Sequence, residues 1–247
     1  MYIKNLLRRL KQLIRPVDKD PVIDIDKEFL KLYKKYKTYT MTTKIRLYAL
    51  YKAVNYIIDN NIPGDFVECG VWRGGNMMLI ADILENKNIT NRKIYLYDTF
   101  EGMSEPKKVD VIAGSNFKNT FEIWSNSKKA NYNEWCYASI EEVKNNMKLT
   151  NFPQEKIIYV KGKVEITLSK NIPDKIALLR LDTDWYESTK KELDVLYPNL
   201  SKNGVLIIDD YGTWEGARKA VDEYFTSNEI LLSRIDHTAR IGIKISQ

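Results

Sequence analysis

Ile176-Ala-Leu-Leu-Arg-Leu-Asp182-Thr-Asp184 and Gly204-Val-Leu-Ile-Ile-Asp209-Asp210 decide how this chain is read. Each is a short run rich in Ile, Leu and Val that stops at a pair of carboxylates. Apolar runs of this length read as strands buried on both faces of a parallel sheet. Open α/β sheets bind their ligands outside the carboxyl ends of such strands. If the two strands are neighbours, four carboxylates meet on one rim. They stay ionised together only if a cation or protons relieve them. The pair therefore predicts a metal site made of oxygen ligands alone.

Around these two strands the pattern alternates. Further strands are predicted at Asp65–Cys69, Lys93–Asp98 and Lys156–Lys161, the two acidic ones being Ile176–Asp182 and Val205–Asp209. Helices are predicted at Thr42–Asn60, Gly75–Glu85, Ile140–Leu149, Glu187–Leu200 and Trp214–Thr226. Ile230–Ile235 and Arg240–Ile245 read as a closing antiparallel pair around a turn at His237. Strand–helix repetition of this kind gives an α/β, doubly wound sheet in three αβα layers, mostly parallel, with a C-terminal antiparallel hairpin. The segment Glu101–Ser139 is too long for an ordinary connection and reads as a lid or substrate-binding insertion. Asp26 to about Thr40, rich in Lys and Tyr, carries no clear pattern.

The first strand runs into Glu68-Cys-Gly70-Val-Trp72-Arg-Gly74-Gly75, a strand, a glycine turn and a helix start. Glycines let the backbone turn tightly against a ligand, and the helix N-terminus offers free N–H groups. The spacing differs from the Gly-x-Gly-x-x-Gly of dinucleotide enzymes. The second strand ends at Asp98-Thr99, where an acid would hold a ribose diol. Turn and acid together indicate a nucleoside cofactor without choosing between NAD and S-adenosylmethionine. Glu68 favours the latter, because a carboxylate there suits an aminoacyl or sulfonium group and repels a pyrophosphate.

Composition sets the outer limits. A chain of 247 residues that is 44% hydrophobic fits one α/β domain with extensions. No apolar stretch approaches the roughly 18 to 20 residues of a membrane span, and no secretory signal pattern is expected at the charged N-terminus. Cys69 and Cys136 make neither a metal spacing nor a disulfide framework, which suits a reducing cytoplasm. The single histidine, His237, excludes most zinc chemistry. The net charge of +6 comes largely from Lys4, Arg8, Arg9, Lys11 and Arg15, with no acid before Asp18, which leaves the rest of the chain at +1. No nucleic-acid surface is expected from so neutral a body. Ile3, Leu6, Leu7, Leu10, Leu13 and Ile14 form a helical stripe opposite those basic residues. Such a helix packs on the body or on a second subunit, or lies on an anionic membrane surface through residues 1–15.

Four stretches then resemble one family. Glu68-Cys-Gly-Val-Trp-Arg-Gly-Gly75, Asp98-Thr-Phe-Glu-Gly-Met103, Leu181-Asp-Thr-Asp-Trp-Tyr-Glu-Ser-Thr189 and Asp209-Asp-Tyr211 are similar, in order, to the macrocin O-methyltransferases of the TylF type. The likeness runs from about Thr40 to Lys244. It implies a Rossmann-like class I methyltransferase domain over 41–247, preceded by an arm over 1–40 with the basic helix and a linker. It also implies a homo-oligomer, a dimer or tetramer, and methyl transfer from S-adenosylmethionine to a sugar hydroxyl with a divalent cation.

The resemblance and the residues together assign a site. Donor contacts are expected from Thr40, Met41, Glu68, Gly70, Trp72, Gly74, Gly75, Asp98, Thr99, Gly162, Glu165 and Asp182. Asp182, Asp209 and Asp210 are expected to hold the metal, Mg²⁺ in the first place and Mn²⁺ as an alternative, since hard cations take oxygen ligands. Asp184 is expected to be the general base, although Asp182 and Asp184 could exchange these roles. Trp185, Tyr186 and Tyr211 are expected at the acceptor, a sugar of a glycan, nucleotide sugar or glycosylated metabolite. Two other classes compete: a glycosyltransferase that uses Asp182-x-Asp184 for a metal and a sugar nucleotide, and a non-catalytic S-adenosylmethionine-binding subunit.

Overall fold

The computed structural model describes residue 20, residues 22–226 and residues 230–245. The basic stripe of residues 1–15 and nearly all of the Pro16–Pro21 linker lie outside them.

Seven strands form one sheet: β1 (Asp65–Cys69), β2 (Ile94–Asp98), β3 (Ile157–Lys161), β4 (Ile176–Leu181), β5 (Leu200–Ile208), β6 (Ser233–Arg234) and β7 (Arg240–Ile243). Their spatial order is β3-β2-β1-β4-β5-β7-β6. The first five run parallel, and β7 returns antiparallel between β5 and β6. The strand order reverses at β1, with β2 on one side and β4 on the other. A crevice therefore opens at their carboxyl ends.

Alternation along each strand separates the two helical layers. Phe66, Leu178, Val205 and Ile207 face α1 (Lys27–Tyr36), α2 (Lys44–Asp59) and α3 (Gly75–Asn86). Val67, Leu179, Leu206 and Ile208 face the other way, toward α7 (Tyr186–Leu196) and α8 (Glu215–Phe225). Every residue of β4 is buried, as a strand covered on both faces must be. The remaining helices are α4 (Phe117–Ser127), α5 (Ile140–Met147) and the single turn α6 (Val164–Thr167). Ser139 caps α5, accepting from the Glu142 amide at 3.1 Å.

Three expectations are corrected. The Lys- and Tyr-rich segment contains α1: Asp26 caps it by accepting from the Phe29 amide, and Phe29, Leu32 and Tyr36 are buried on one face. The helix expected to reach Leu200 ends at Leu196. Pro198 confines Tyr197–Asn199 to a 3₁₀ turn, and β5 begins at Leu200. The closing hairpin is shorter than expected, because β6 holds only two exposed residues.

Candidate functional site

Register brings the acidic strand ends together. Cys69 pairs with Leu181, and Leu181 with Ile208, so Gly70, Asp182 and Asp209 follow side by side. The Asp182 amide donates to the Cys69 carbonyl and the Asp209 amide to that of Leu181, both at 2.9 Å. The approach is so close that a Cβ on Gly70, which has φ +80°, would lie 2.0 Å from the Asp182 carbonyl oxygen. Only glycine fits there.

One side of the crevice is a cradle of backbone. Asp98 accepts from the Val71 and Trp72 amides at 2.8 and 3.2 Å and from the Phe100 amide at 2.7 Å. It lines the cleft but braces the glycine turn with Oδ2 and its own loop with Oδ1. Burial raises its pKa, against those amides that lower it. The Gly75 amide donates to the Tyr39 carbonyl, which draws the segment before α2 over the turn. There the Thr40 hydroxyl donates to Asn76, and Asn76 donates to the Thr42 hydroxyl.

The other side is ionic. Arg180, 1% exposed near the carboxyl end of β4, donates to Glu68 Oε1 and Asp182 Oδ2, each at 2.6 Å. It also donates to Thr42 at 3.1 Å and to Asp209 Oδ1. Arg46 of α2 takes the second oxygen of Asp209 and pairs with Asp236 at 3.2 Å. Beyond this network, Asp182, Asp184 and Asp210 each bring a carboxylate oxygen within 4.8 Å of the others. Asp210 Oδ2 is buried without a hydrogen-bond partner. Burial pushes Asp184 up to about 7; a hydrogen bond with Asp210 opposes the shift, and the charges of Asp182 and Asp209 add to it. Asp210 is raised well above the ordinary range, by burial and then by Asp184. Burial and mutual repulsion thus favour the protonated forms of Asp184 and Asp210, and a cation among the three carboxylates would relieve the same repulsion.

Most of the expected residues meet in this one cleft. Thr40, Met41, Gly70, Trp72, Asp98, Thr99, Gly162, Glu165 and Asp182 line it, as do Asp184, Asp209 and Asp210. Others are placed elsewhere. Glu68, expected to face the donor, is fully buried under Arg180 and Asn76, because strand alternation turns it into the helical layer. Gly74 and Gly75 are structural, packing on Val143 and on the Tyr39 backbone. Asp209, expected as a metal ligand, gives both oxygens to Arg180 and Arg46. Tyr186 and Tyr211 point away from the cleft to Glu223 and Asp222.

Trp185 is buried behind the cleft, where it holds the insertion: its indole N–H donates to the Ser104 carbonyl at 3.0 Å. The aromatic walls of the cleft are Trp135 and Trp214. Trp185 meets them edge-on, at centroid distances of 5.8 and 4.9 Å. The insertion is tied down further by Asp110, which accepts from the Tyr186 amide at the start of α7 at 2.8 Å. Ile112 also bridges to Trp214. Among these residues, Arg180 left a trace in the sequence. A charge inside an apolar strand must be paired when the strand is buried.

Comparison with known proteins agrees with this geometry. The family model of macrocin O-methyltransferase (TylF) matches residues 24–241. Demethyldecarbamoylnovobiocin O-methyltransferase of Streptomyces niveus is 35% identical over 188 residues, 75% of this chain and 67% of that protein. Mycinamicin III 3''-O-methyltransferase of Micromonospora griseorubida is 30% identical over 186 residues, 75% and 70% of the two chains. The solved structure of the O-methyltransferase NovP superposes with a TM-score of 0.74 at 30% identity, covering 84% of this chain and 83% of that one. The chain belongs to the macrocin O-methyltransferase family and is an O-methyltransferase.

Proposed function

We propose that this member of the family transfers the methyl group of S-adenosylmethionine to a sugar hydroxyl with the help of a divalent cation, Mg²⁺ in the first place. The observation that carries the proposal is the triad of Asp182, Asp184 and Asp210 beside the glycine turn, with its buried, unpartnered oxygen. Three carboxylates without nitrogen or sulfur donors fit a hard cation. Asp182 and Asp210 are assigned as its ligands, and Asp209 as the counter-ion that fixes Arg180 and Arg46. A bound cation would polarise the acceptor hydroxyl and make its proton easier to lose.

Asp184 is the base that takes that proton. It lines the cleft just past the end of β4, beside the proposed ligands, with its backbone in the left-handed region at φ 67°. The donor is assigned to the cradle between the Gly70 turn, Thr40–Thr42 and Gly162–Glu165. Thr99 and the backbone braced by Asp98 line the end where the ribose is expected. Trp135 and Trp214 give the acceptor an aromatic surface against which the apolar face of a sugar ring can stack. The insertion that carries Trp135 screens the acids from water.

The test is calorimetry and turnover on Asp184→Asn. S-adenosylmethionine affinity is expected to match the wild type, while methyl transfer to a sugar acceptor falls by about 10²-fold or more. Turnover at the wild-type rate in this variant would place the base elsewhere. Failure of the wild type to bind S-adenosylmethionine would remove the proposal.

A further inference from the structure

Glu192 is buried without an assigned task. It lies on α7 in the row Thr189, Glu192, Leu193, Leu196, the face that enters the core, and it is 0% exposed. Among the described residues its Oε2 has no hydrogen-bond partner, and no Lys, Arg or His is paired with it. Burying a carboxyl group in such a place costs stability that a leucine would not. An acid kept against the core pattern therefore calls for a local reason.

That reason is its neighbour. Glu192 Oε1 accepts from the Thr183 hydroxyl at 2.9 Å. Thr183 stands between Asp182 and Asp184, and its carbonyl accepts from the Trp185 amide at 2.8 Å. Asp184 has φ 67°, a conformation that a non-glycine residue keeps only when its surroundings fix it. The hydrogen bond from Thr183 to Glu192 is one such fixing point. It ties the Thr183 hydroxyl to the buried face of α7, while Asp182, Thr183 and Asp184 together line the cleft. The Cys69 thiol, at the end of β1, lies beside the same carboxyl group.

We propose that Glu192 is a positioning residue for the acidic rim, acting through the Thr183 hydroxyl to set the geometry with which Asp182, the preceding residue, meets a divalent cation. The inference rests on the cation reading above. Burial raises the pKa of Glu192 well above the carboxylate range, so the group is neutral and glutamine is its close mimic. Partners that orient metal ligands from behind typically change metal affinity about 10- to 100-fold when removed.

The experiment is calorimetric titration of the folded, metal-free protein with MgCl₂ at pH 8, and separately with S-adenosylmethionine. Glu192→Leu is expected to weaken Mg²⁺ binding by about 10- to 100-fold while donor affinity is unchanged. Glu192→Gln is expected to stay close to wild type. Thr183→Val, at a half-exposed position, breaks the same hydrogen bond from the other end and guards against a Glu192→Leu protein that does not fold. It should show a loss of the same size, and the double variant should bind no more weakly than either single one. Wild-type Mg²⁺ affinity in Thr183→Val or Glu192→Leu overturns the inference, and so does a Glu192→Gln loss as large as that of Glu192→Leu. Absence of Mg²⁺ binding by the wild type would instead overturn the cation reading on which it rests.

Discussion

Replacing Arg180 by methionine tests the ionic half of the site most severely. The guanidinium is buried with Glu68, Asp182 and Asp209 around it, two of the contacts at 2.6 Å. Methionine fills similar space and leaves those three carboxylates facing one another. Breaking a buried ion pair by removing one partner costs about 3–5 kcal/mol. Glu68 and Asp182 lose the one cation paired with them among the described residues and Asp209 keeps Arg46 alone, which places this variant at the upper end, a large share of the roughly 5–15 kcal/mol that holds a domain folded.

The cost should depend on pH, and its sign is fixed. Burial has already pushed Glu68 up to about 7 and Asp209 up to about 6, and Arg180 opposes both shifts. Without Arg180 both folded-state values rise further. A carboxyl group with a raised folded-state pKa binds more protons folded than unfolded. Its favourable contribution is present below the unfolded pKa and is lost as pH rises through the folded one. In the wild type that loss is complete for Glu68 somewhat above pH 7. In the variant it continues to higher pH, so the gap between the two proteins widens from pH 6 to pH 8. If the variant holds one extra proton across that interval, the gap grows by about 2.7 kcal/mol. Urea unfolding at pH 6, 7 and 8, followed by tryptophan fluorescence with m-values compared, measures it directly. A destabilisation under about 1 kcal/mol, or one of equal size at pH 6 and pH 8, would refute the account of Arg180 as the charge that opposes the raised pKa values of Glu68 and Asp209.

Two further outcomes are expected. Asp210→Asn replaces a buried carboxyl group, whose protonated folded form costs stability that grows with pH, by a neutral amide, so the metal-free variant should unfold at a higher temperature than the wild type at pH 8. It should also lose the rise that Mg²⁺ gives the wild type, about 2.7 kcal/mol at a hundredfold excess over Kd, in a scanning calorimetry experiment. Trp135→Ala should raise the acceptor KM through lost stacking, about 1 kcal/mol or fivefold, and leave S-adenosylmethionine affinity unchanged by calorimetry.

The fold was legible because its strands obey one rule. A strand covered on both faces must be apolar along its length and turn polar where it leaves the sheet. The chain does this at Asp98, Asp182 and Asp209, and the glycine turn after Cys69 marks the reversal of strand order. What escaped was the direction of side chains. Glu68 and Asp209 sit in motifs that suggest contact with ligand, yet pleat alternation and the pull of Arg180 turn them toward each other. Glu192 reads as one more acid on a charged helix until the row of Thr189, Leu193 and Leu196 is seen to be the buried one. Trp185 stands next to Asp184 in the chain but behind it in space. Trp135 and Trp214, remote from it in the sequence, form the wall, because the insertion folds back onto the acidic loops.

Charge balance shows why these features belong together. Glu68, Asp182, Asp184, Asp209 and Asp210 crowd the ends of three adjacent strands, and only Arg46 and Arg180 oppose them from within the cluster. Fully ionised, the group carries an excess of negative charge in a largely buried place. That excess and burial raise the pKa of Asp184 and Asp210, which favours protons on both. A divalent cation would take the place of those protons, and a sulfonium donor would bring a further positive charge to the same rim. The two arginines are spent on Glu68, Asp182 and Asp209, on the side away from the unpartnered oxygen of Asp210. The remaining deficit thus falls on the Asp184–Asp210 side, where the proposed reaction needs an electrophile and a base. An enzyme that neutralised its acids completely with arginine would be more stable, and it would have no charge left with which to hold a cation or accept a proton.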